Sequence, residues 1–249
     1  MEKPIFYSQL GEDLYIFKNF INKIVKDGIF IELGALDGIK YSNSKFFEDV
    51  LGFTGILIEP TKNYQKLIIN RQNCKNYNYA ISNIEGENIF IGDDATAGIM
   101  DNIPEFMLNR YHKNKSLKYK VEGIPISKII NQSNISYIDI YFIDVEGAEL
   151  MVLETTDWNI PIYLIIIELH NIDIEKDNKC RELLLKNGFK FYASLCSNEI
   201  WVNENYKYKE RLYDDTIKFP KINLLSEIGN FPYIEKSFIN QIITTLNKN

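Results

Sequence analysis

The stretch GIFIELGALDGIKYSNSKFFEDVLG, residues 28–52, begins with a short apolar run, Ile29 to Leu33, that contains one acid, Glu32. Gly34 and Gly38 follow this run, and the apolar residues after them recur at helical spacing. A strand, a glycine-containing turn and a helix in this order begin a nucleotide-binding unit of an α/β sheet. The stretch therefore raises the question of which nucleotide its turn would hold.

Strand and helix patterns alternate from residue 28 to residue 202. The predicted strands lie at 29–33, 54–59, 77–81, 138–143, 162–168, 189–194 and 198–203, and the predicted helices lie at 42–51, 62–71, 148–154 and 174–187. The run at 162–168 is continuously apolar, which is typical of a parallel strand covered on both faces. The alternation predicts an α/β fold with a doubly wound, mainly parallel sheet and helices on both faces.

Residues 93–123 break this alternation after a short hairpin arm predicted at 84–92. They are polar, carry a basic cluster, and predict a loop with a short helix near 104–111. Such an insertion is either a lid or substrate loop, or a surface excursion without function. We predict a domain over 1–202 and a C-terminal extension over 203–249, which packs on the domain or on a second subunit, so a homodimer is one alternative.

The composition is that of a folded protein, because 45% of the 249 residues are hydrophobic and 25% are charged. The net charge of −6 argues against a broad nucleic-acid interface, which usually needs a basic excess. No run reaches the roughly 20 apolar residues of a membrane span, and the N-terminus lacks the apolar core of a secretory signal. Cys74, Cys180 and Cys196 are widely spaced and odd in number, which indicates a reducing, cytoplasmic location.

Acidic residues lie at the carboxyl ends of four of the predicted strands. They are Glu32 and Asp37 at the first strand, Glu59 at the second, Asp144 and Glu146 at the strand 138–143, and Glu168 at the strand 162–168. The carboxyl ends of parallel strands meet at one edge of a sheet, so these side chains are expected to gather there. Since like charges without a partner repel, the gathering indicates a function.

The glycine spacing does not match a dinucleotide turn, whose pattern G-x-G-x-x-G needs a second glycine two residues after the first. Asp37 would also place a carboxylate where a pyrophosphate needs amides and the positive end of a helix. An acidic turn suits a ligand with a positive charge and no phosphate, and S-adenosylmethionine has both properties. Glu59 is then placed to accept both ribose hydroxyls.

Five segments resemble the FkbM family of S-adenosylmethionine-dependent methyltransferases. They are YSQLGED (7–13), FIELGALDGIKYSNS (30–44), GFTGILIEP (52–60), AIS (80–82) and FIDVEGAELMVL (142–153), of which the last is the most specific. The resemblance covers about 7–202 and implies a Rossmann-like class I methyltransferase fold with a seven-stranded sheet. It also implies O-methylation, often of sugars or glycan-linked groups.

The resemblance further implies which residues contact the cofactor. The turn after the first strand would hold the methionine end, Glu59 the ribose, and residues 80–82 the adenine, with Asp144 near the transferred methyl. Gln9 and Glu12 would cover the cofactor, although their segment also resembles the start of a helix. The full set is Gln9, Glu12, Glu32, Gly34, Ala35, Asp37, Gly38, Ser42, Glu59, Pro60, Ala80, Ile81, Ser82 and Asp144.

Four residues are candidates for catalysis: His170, Asp144, Glu146 and Glu168. The pKa range of a histidine suits a general base near neutrality, although a structural role for His170 is equally open. Asp144, Glu168 and Asn171 resemble the metal ligands of catechol-type O-methyltransferases, with a looser spacing after the strand at 162–168 than that group has. Mg²⁺ as a second cofactor is therefore one alternative, and metal-free catalysis is the other.

The other histidine, His112, lies in the insertion beside Arg110, Lys113 and Lys115. These cations would either bind the phosphates of a nucleotide-activated sugar or form a solvated loop.

The sequence therefore predicts a cytoplasmic S-adenosylmethionine-dependent O-methyltransferase of polysaccharide biosynthesis. Its acceptor would be the sugar hydroxyl of a nucleotide-activated or glycan-linked sugar, with no nucleic-acid partner. One alternative is an N- or O-methyltransferase of a small phosphorylated metabolite. Others are an NAD-dependent sugar-modifying enzyme, which the glycine spacing disfavours, and a non-catalytic binding module, which the intact acids disfavour.

Overall fold

The structure is a computed structural model, and it describes residues 5–112, 117–217 and 230–246. The described strands are β1 (Ile29–Leu33), β2 (Thr54–Ile58), β3 (Lys75–Tyr77), β4 (Ala80–Ile81), β5 (Gly86–Ile91), β6 (Gly98–Ile99), β7 (Lys118–Ile124), β8 (Ile138–Ile143), β9 (Ile162–Glu168), β10 (Lys190–Leu195) and β11 (Asn198–Val202). The described helices are α1 (Glu12–Asn19), α2 (Lys45–Leu51), α3 (Tyr64–Asn70), α4 (Glu105–Met107), α5 (Ile126–Gln132), α6 (Glu149–Thr155), α7 (Ile174–Lys186) and α8 (Ile239–Leu246). Within these ranges, no helix has the length and apolar character needed to cross a membrane.

Seven strands form the central sheet, in the order β10-β11-β9-β8-β1-β2-β3. Neighbouring strands are parallel except at β11, which runs antiparallel to both β9 and β10. All six residues of β8 are buried, because apolar layers cover both faces of the sheet. This is the predicted Rossmann-like class I methyltransferase fold. The strand order reverses between β1 and β8, and ligands of such sheets bind at the carboxyl ends beside that point.

A second sheet, in the order β4-β7-β5-β6, takes two of its strands, β6 and most of β7, from residues 93–123, where a loop with a short helix was predicted. β7 pairs antiparallel along β5, from Gly86 opposite Gly123 to Ile91 opposite Lys118. Charged and exposed residues alternate with partly buried ones along most of β7, so the segment lacks the apolar run that marks a buried strand. The helix expected near 104–111 is present as α4, which continues into a π-helical turn at Leu108–His112.

Two further boundaries differ from the prediction. The strand expected at 77–81 is divided, since β3 joins the central sheet and β4 joins the second sheet. Helix α2 begins at Lys45 because the hydroxyls of Ser42 and Ser44 donate hydrogen bonds to Glu32, which holds both residues in the preceding turn. Helix α5 was not predicted, and the other predicted helices and the two closing strands are confirmed with small shifts at their ends.

The described part of the C-terminal extension packs against the central sheet. The hydroxyl of Tyr206 donates a hydrogen bond to Asp139 over 2.6 Å, and Phe231 stacks on Phe6 with ring centroids 5.1 Å apart. Ile242 of α8 is fully buried in the same apolar layer. This layer therefore joins residues that precede β1 to residues that follow β11.

Candidate active site

A cavity lies at the carboxyl ends of β1, β2, β8 and β9. Its wall is formed by the segment before α1, by the turns that follow these four strands, and by residues of β4, β5 and β6 in the second sheet. The cavity therefore occupies the position at which doubly wound sheets bind their ligands.

Glu32, in β1, holds the turn that follows this strand. Its carboxylate accepts hydrogen bonds from the hydroxyls of Ser42, over 2.9 Å, and Ser44, over 2.5 Å, and from the N–H of Asn43, over 2.6 Å. The guanidinium of Arg71 lies 3.8 Å from one carboxylate oxygen. Both oxygens of Glu32 thus have partners, and the side chain fixes this wall of the cavity.

Arg71 completes the same turn, although no pattern in the sequence marks it. It is fully buried, and its Nη1 and Nη2 donate to the carbonyl oxygen of Gly38, over 3.0 Å, and the hydroxyl of Ser44, over 2.9 Å, while its Nε pairs with Glu48. Gly38 has a φ of +79°, and a Cβ there would lie 2.5 Å from Cγ of Arg71. Glycine is therefore required at this position by both its conformation and its space.

The turn after β1 is closed by backbone contacts. Gly34 has a φ of +75°, and a Cβ there would lie 2.2 Å from the carbonyl oxygen of Asp144, so the turns after β1 and β8 touch. The carboxylate of Asp37 accepts hydrogen bonds from the N–H groups of Ile39, over 3.0 Å, and Lys40, over 2.8 Å. Asp37 therefore stabilises the turn and does not itself line the cavity.

Glu59, directly after β2, lines the cavity with both of its oxygens anchored. One oxygen accepts from the N–H of Leu36 and the other from the N–H of Thr61, each over 2.8 Å. Burial raises the pKa of this carboxyl, although the two hydrogen bonds oppose the shift. Each carboxylate oxygen retains a further lone pair, so Glu59 can accept two neighbouring hydroxyls.

The segment before α1 and the start of that helix form another wall. Oε2 of Glu12 accepts from the N–H of Leu10 over 3.0 Å, and Oε1 accepts from the side-chain amide of Asn198. Burial raises the pKa of Glu12 to about 7. The hydroxyl of Ser8 donates to Asp13 over 2.6 Å, and the helix has no side-chain cap. This segment thus begins a helix and also lines the cavity.

Asp144, Glu146, Glu168 and His170 lie together at the ends of β8 and β9. Nε2 of His170 is 3.1 Å from Oε2 of Glu168, and the hydroxyl of Ser197 donates to Oε1 of Glu168 over 2.9 Å. Glu146 has a φ of +52°, and its Oε2 is buried without a hydrogen-bond partner. The three acids line the cavity, whereas His170 is not among its lining residues.

Burial and mutual repulsion shift the pKa values of this group. Burial, followed by the charge of Glu168, raises the pKa of Asp144 well above its usual range and raises that of Glu146 to about 8. Burial would also raise the pKa of Glu168, but its hydrogen bond and ion pair with His170 lower it. Burial would lower the pKa of His170, but Glu168 raises it to about 9. Glu168 therefore makes His170 hold its proton more tightly than a free histidine does, and the role of His170 as a general base stays a prediction.

A family model described as the methyltransferase FkbM domain matches residues 32–191. The chain belongs to the FkbM methyltransferase family. The resemblance of the strand-end motifs to this family is thereby confirmed, and the protein is an enzyme of the methyltransferase class. No curated protein matches the chain.

Solved methyltransferase structures resemble this FkbM enzyme only distantly. A fibrillarin in complex with Nop5p is 14% identical over 78% of this chain and 79% of its own, with a TM-score of 0.41. The precorrin-6y C5,15-methyltransferase of Geobacter metallireducens GS-15 is 11% identical over 81% of this chain and 92% of its own, with a TM-score of 0.40. Fibrillarin of Aeropyrum pernix with natively bound S-adenosyl-L-methionine is 14% identical over 78% of this chain and 72% of its own, with a TM-score of 0.39. Similarities this low indicate nothing about the ligands of the FkbM enzyme.

The cavity of the FkbM enzyme collects most of the residues predicted to contact the cofactor. Those that line it are Gln9, Glu12, Glu32, Gly34, Glu59, Pro60, Ala80, Ile81 and Asp144, whereas Ala35, Asp37, Gly38, Ser42 and Ser82 do not. Lining residues that were not predicted include Tyr41, Asn43, Tyr79, Phe90, Asp94 and Asn198. Tyr41 and Asn43 lie inside a family-like segment that could have marked them, but Phe90 and Asp94 belong to a region whose sheet was not recognised.

Asn171, which was predicted to share a metal with two acids, is hydrogen-bonded to residues of α7. Its amide oxygen accepts a hydrogen bond from Nη2 of Arg181 over 2.7 Å, and its N–H donates to Asp177 over 2.8 Å. The residue does not line the cavity. The predicted ligand set of Asp144, Glu168 and Asn171 stays a prediction, and the amide oxygen of Asn171 would have to leave Arg181 to join it.

The basic cluster of the insertion is only partly described. His112 is buried, and its Nε2 donates to the carbonyl oxygen of Thr96 over 2.8 Å, so this side chain stabilises the insertion. Arg110 is exposed and lies over the ring of Tyr111. Lys113 and Lys115 lie outside the described residues.

Proposed function

We propose that the enzyme transfers the methyl group of S-adenosylmethionine to a sugar hydroxyl of a nucleotide-activated or glycan-linked sugar. The observation that carries the proposal is Glu59, a buried carboxylate anchored by two N–H groups at the cavity wall. It supplies paired acceptors for the two ribose hydroxyls of the donor, at the end of the strand next to β1.

The remaining walls of the cavity match the other parts of the donor. Ala80 and Ile81, together with Phe90 of the second sheet, offer an apolar flank for the adenine ring. The acids at the ends of β8 and β9 favour the positive sulfonium and the α-ammonium group, since opposite charges attract strongly where water is excluded. A pyrophosphate is negatively charged, so the same acids would repel it, which disfavours a dinucleotide.

The acceptor hydroxyl would lie beside the acids that follow β8 and β9. In the transfer, the bond between sulfur and the methyl group breaks as the bond between oxygen and the methyl group forms, and the hydroxyl proton passes to a carboxylate. Asp144, Glu146 and Glu168 line the cavity and can also accept hydrogen bonds from neighbouring hydroxyls of a sugar. A small phosphorylated metabolite suits the site less well, because its phosphate would lie close to these acids.

The donor assignment is tested by calorimetric titration with S-adenosylhomocysteine at neutral pH. We expect micromolar binding by the wild-type enzyme and a loss of about tenfold or more in Glu59→Gln, because hydrogen bonds to a charged group contribute about 1.5–3 kcal/mol. Glu87→Gln is the matched control, since Glu87 is an exposed acid paired with Lys120 on the second sheet, and its affinity should equal that of the wild type.

Thermal unfolding of each variant shows that the protein used in the titration is folded. Absence of binding to folded wild-type enzyme, or equal affinities for Glu59→Gln and the wild type, would contradict the donor site. With the donor established, a screen of nucleotide-activated sugars, glycans and phosphorylated metabolites as methyl acceptors tests the acceptor class directly.

A further inference from the structure

Three side chains at the ends of β8 and β9 have the spacing of metal ligands. Glu146, Glu168 and His170 each offer one donor atom, and these atoms lie within 4.8 Å of one another. Donors that bind one ion at about 2.0–2.2 Å are separated by roughly 3–4.4 Å, so a slight closure of the group completes the geometry. Two elements supply the ligands, the turn after β8 and the end of β9.

Glu146 provides an independent observation at the same place. The side chain is only 9% exposed, and its Oε2 is buried without a hydrogen-bond partner, although it shares the ligand group with Glu168 and His170. Burial of a carboxylate oxygen without a partner is costly, and native structures rarely retain one without a reason. A bound cation would supply the missing partner.

Glu168 is already oriented to serve as a ligand. The hydroxyl of Ser197 donates to its Oε1 over 2.9 Å, which leaves Oε2 directed at His170. Such a hydrogen bond from outside the ligand group fixes the direction of a metal-binding carboxylate and is a regular feature of metal sites.

We propose that Glu146, Glu168 and His170 bind one divalent transition-metal ion. The imidazole decides the class of ligand, because a transition-metal ion coordinates its neutral nitrogen and displaces the ring proton, whereas a sulfonium has no N–H to donate to it. A mixed set of nitrogen and carboxylate oxygen favours ions such as Mn²⁺ over Mg²⁺, which takes oxygen ligands. The Mg²⁺ set predicted from the sequence also included Asn171, whose amide oxygen is bound to Arg181.

The ion would lie at the wall of the cavity, since Glu146 and Glu168 line it. Three protein ligands leave further coordination positions for water or for a hydroxyl of the acceptor. A coordinated hydroxyl loses its proton more readily, and the metal would orient it toward the methyl group. This last role rests on the proposed methyltransfer, whereas binding of the ion does not.

The test is a titration of metal-free enzyme with Mn²⁺, in the absence of methyl donor and acceptor. The electron paramagnetic resonance signal of the free ion measures how much Mn²⁺ remains unbound. We expect one Mn²⁺ per chain in the wild type. Glu146→Gln should lower the affinity by about 100-fold or more, because loss of even an outer partner of a metal ligand costs 10–100-fold. His170→Gln should lower it similarly and should abolish the imidazole nitrogen modulation in pulsed spectra of the bound ion.

Asp94→Asn is the matched control. Asp94 also lines the cavity and its charge acts on Glu146, but it is not one of the three ligands. Its replacement should leave Mn²⁺ affinity within about threefold of the wild type, because only a general electrostatic attraction is changed. A parallel titration with S-adenosylhomocysteine, without metal, tests the donor site on the same samples.

The possible outcomes separate the two proposals. If folded wild-type enzyme leaves the free Mn²⁺ signal unchanged at equimolar concentration, or if Glu146→Gln and His170→Gln bind as tightly as the wild type, the metal site is refuted. That result would leave the donor site standing if S-adenosylhomocysteine still binds. Loss of Mn²⁺ binding in Asp94→Asn as large as in Glu146→Gln would also refute the assigned ligands.

Discussion

Glu32 and Glu146 belong to neighbouring strand ends, those of β1 and β8, and both line the same cavity, yet their surroundings are opposite. Glu32 accepts three hydrogen bonds and lies near the buried guanidinium of Arg71. Glu146 keeps one buried oxygen without a partner and lies beside the charge of Glu168. An acid whose hydrogen bonds are satisfied by the fold serves the scaffold, whereas an unsatisfied acid is available to a ligand.

The comparison divides the acidic edge, which is the edge of the central sheet where the acids at the strand ends gather, into two parts. Around Glu32, the repulsion expected among the acids is compensated within the protein, because Arg71 supplies a positive charge and two serine hydroxyls supply hydrogen-bond donors. Around Glu146 the compensation is incomplete, because the charge of His170 acts on both acids but its direct ion pair is with Glu168. The repulsion that remains is the physical reason for expecting a cation at this second part.

Arg71→Met should have the largest effect, because it removes the compensating charge on the satisfied side. Methionine keeps much of the length of the side chain, but Glu48 and Glu32 would lose their buried cationic partner. Removal of one partner of a buried ion pair destabilises a protein by about 3–5 kcal/mol. Urea unfolding monitored by circular dichroism should show a loss of this size.

Lys120→Met is the control for this experiment, since it breaks the ion pair between Lys120 and Glu87, both of which are exposed. Its unfolding midpoint should stay at that of the wild type, because solvent screens such pairs. Equal midpoints for Arg71→Met and the wild type would show that the turn around Glu32 does not depend on its buried charge.

Glu32→Gln and Glu146→Gln make the same chemical change on the two sides of the comparison. The amide introduced by Glu32→Gln would place donors against the hydroxyls of Ser42 and Ser44, which already accept from Arg71. We expect a loss of about 1.5–3 kcal/mol in unfolding free energy, the range for hydrogen bonds to charged groups. Glu146→Gln removes an unpaired acid and should cause no loss in metal-free protein. The same urea titration compares the two variants. Equal losses would contradict the distinction between a satisfied acid at Glu32 and an unsatisfied one at Glu146.

Much of the central sheet could be predicted because its strands are local patterns. The apolar runs that became β8 and β9 are continuous, and a covered parallel strand produces such a run directly. The second sheet could not be predicted in the same way. Most of β7 is exposed or only partly buried, so its stability comes from pairing with β5, a partner distant in sequence.

The residues of the site also fall into those that could be predicted from the sequence and those that could not. Glu59 and Asp144 could be predicted because each follows a strand, and strand ends of one sheet converge. The role of Arg71 could not be predicted, since it depends on Gly38, Ser44 and Glu48 coming together in the folded chain. Nor could the sequence distinguish a satisfied acid from an unsatisfied one, because that difference is made by the hydrogen bonds of the folded chain.

Glu12 is an intermediate case, and its contribution to stability depends on pH. Each of its oxygens accepts one hydrogen bond, from Leu10 and Asn198, but it has no cationic partner in an ion pair among the described residues. Burial raises its pKa from 4.5 to about 7, so the folded protein holds this proton more tightly than the unfolded chain. Its contribution to stability is therefore fully present below pH 4.5 and is lost as the pH rises through 7.

Glu12→Gln removes this dependence, because an amide has no proton to lose. The unfolding free energy of Glu12→Gln relative to the wild type should therefore rise between pH 4.5 and pH 7, by about 2–3 kcal/mol. Asp13 titrates in both proteins, and its charge acts on Glu12, so the difference measures Glu12 together with its coupling to Asp13. Urea unfolding at several pH values measures it. A difference that stays constant across this window would place Glu12 with Glu32, as an acid that the fold fully satisfies, whereas the expected rise places it closer to Glu146.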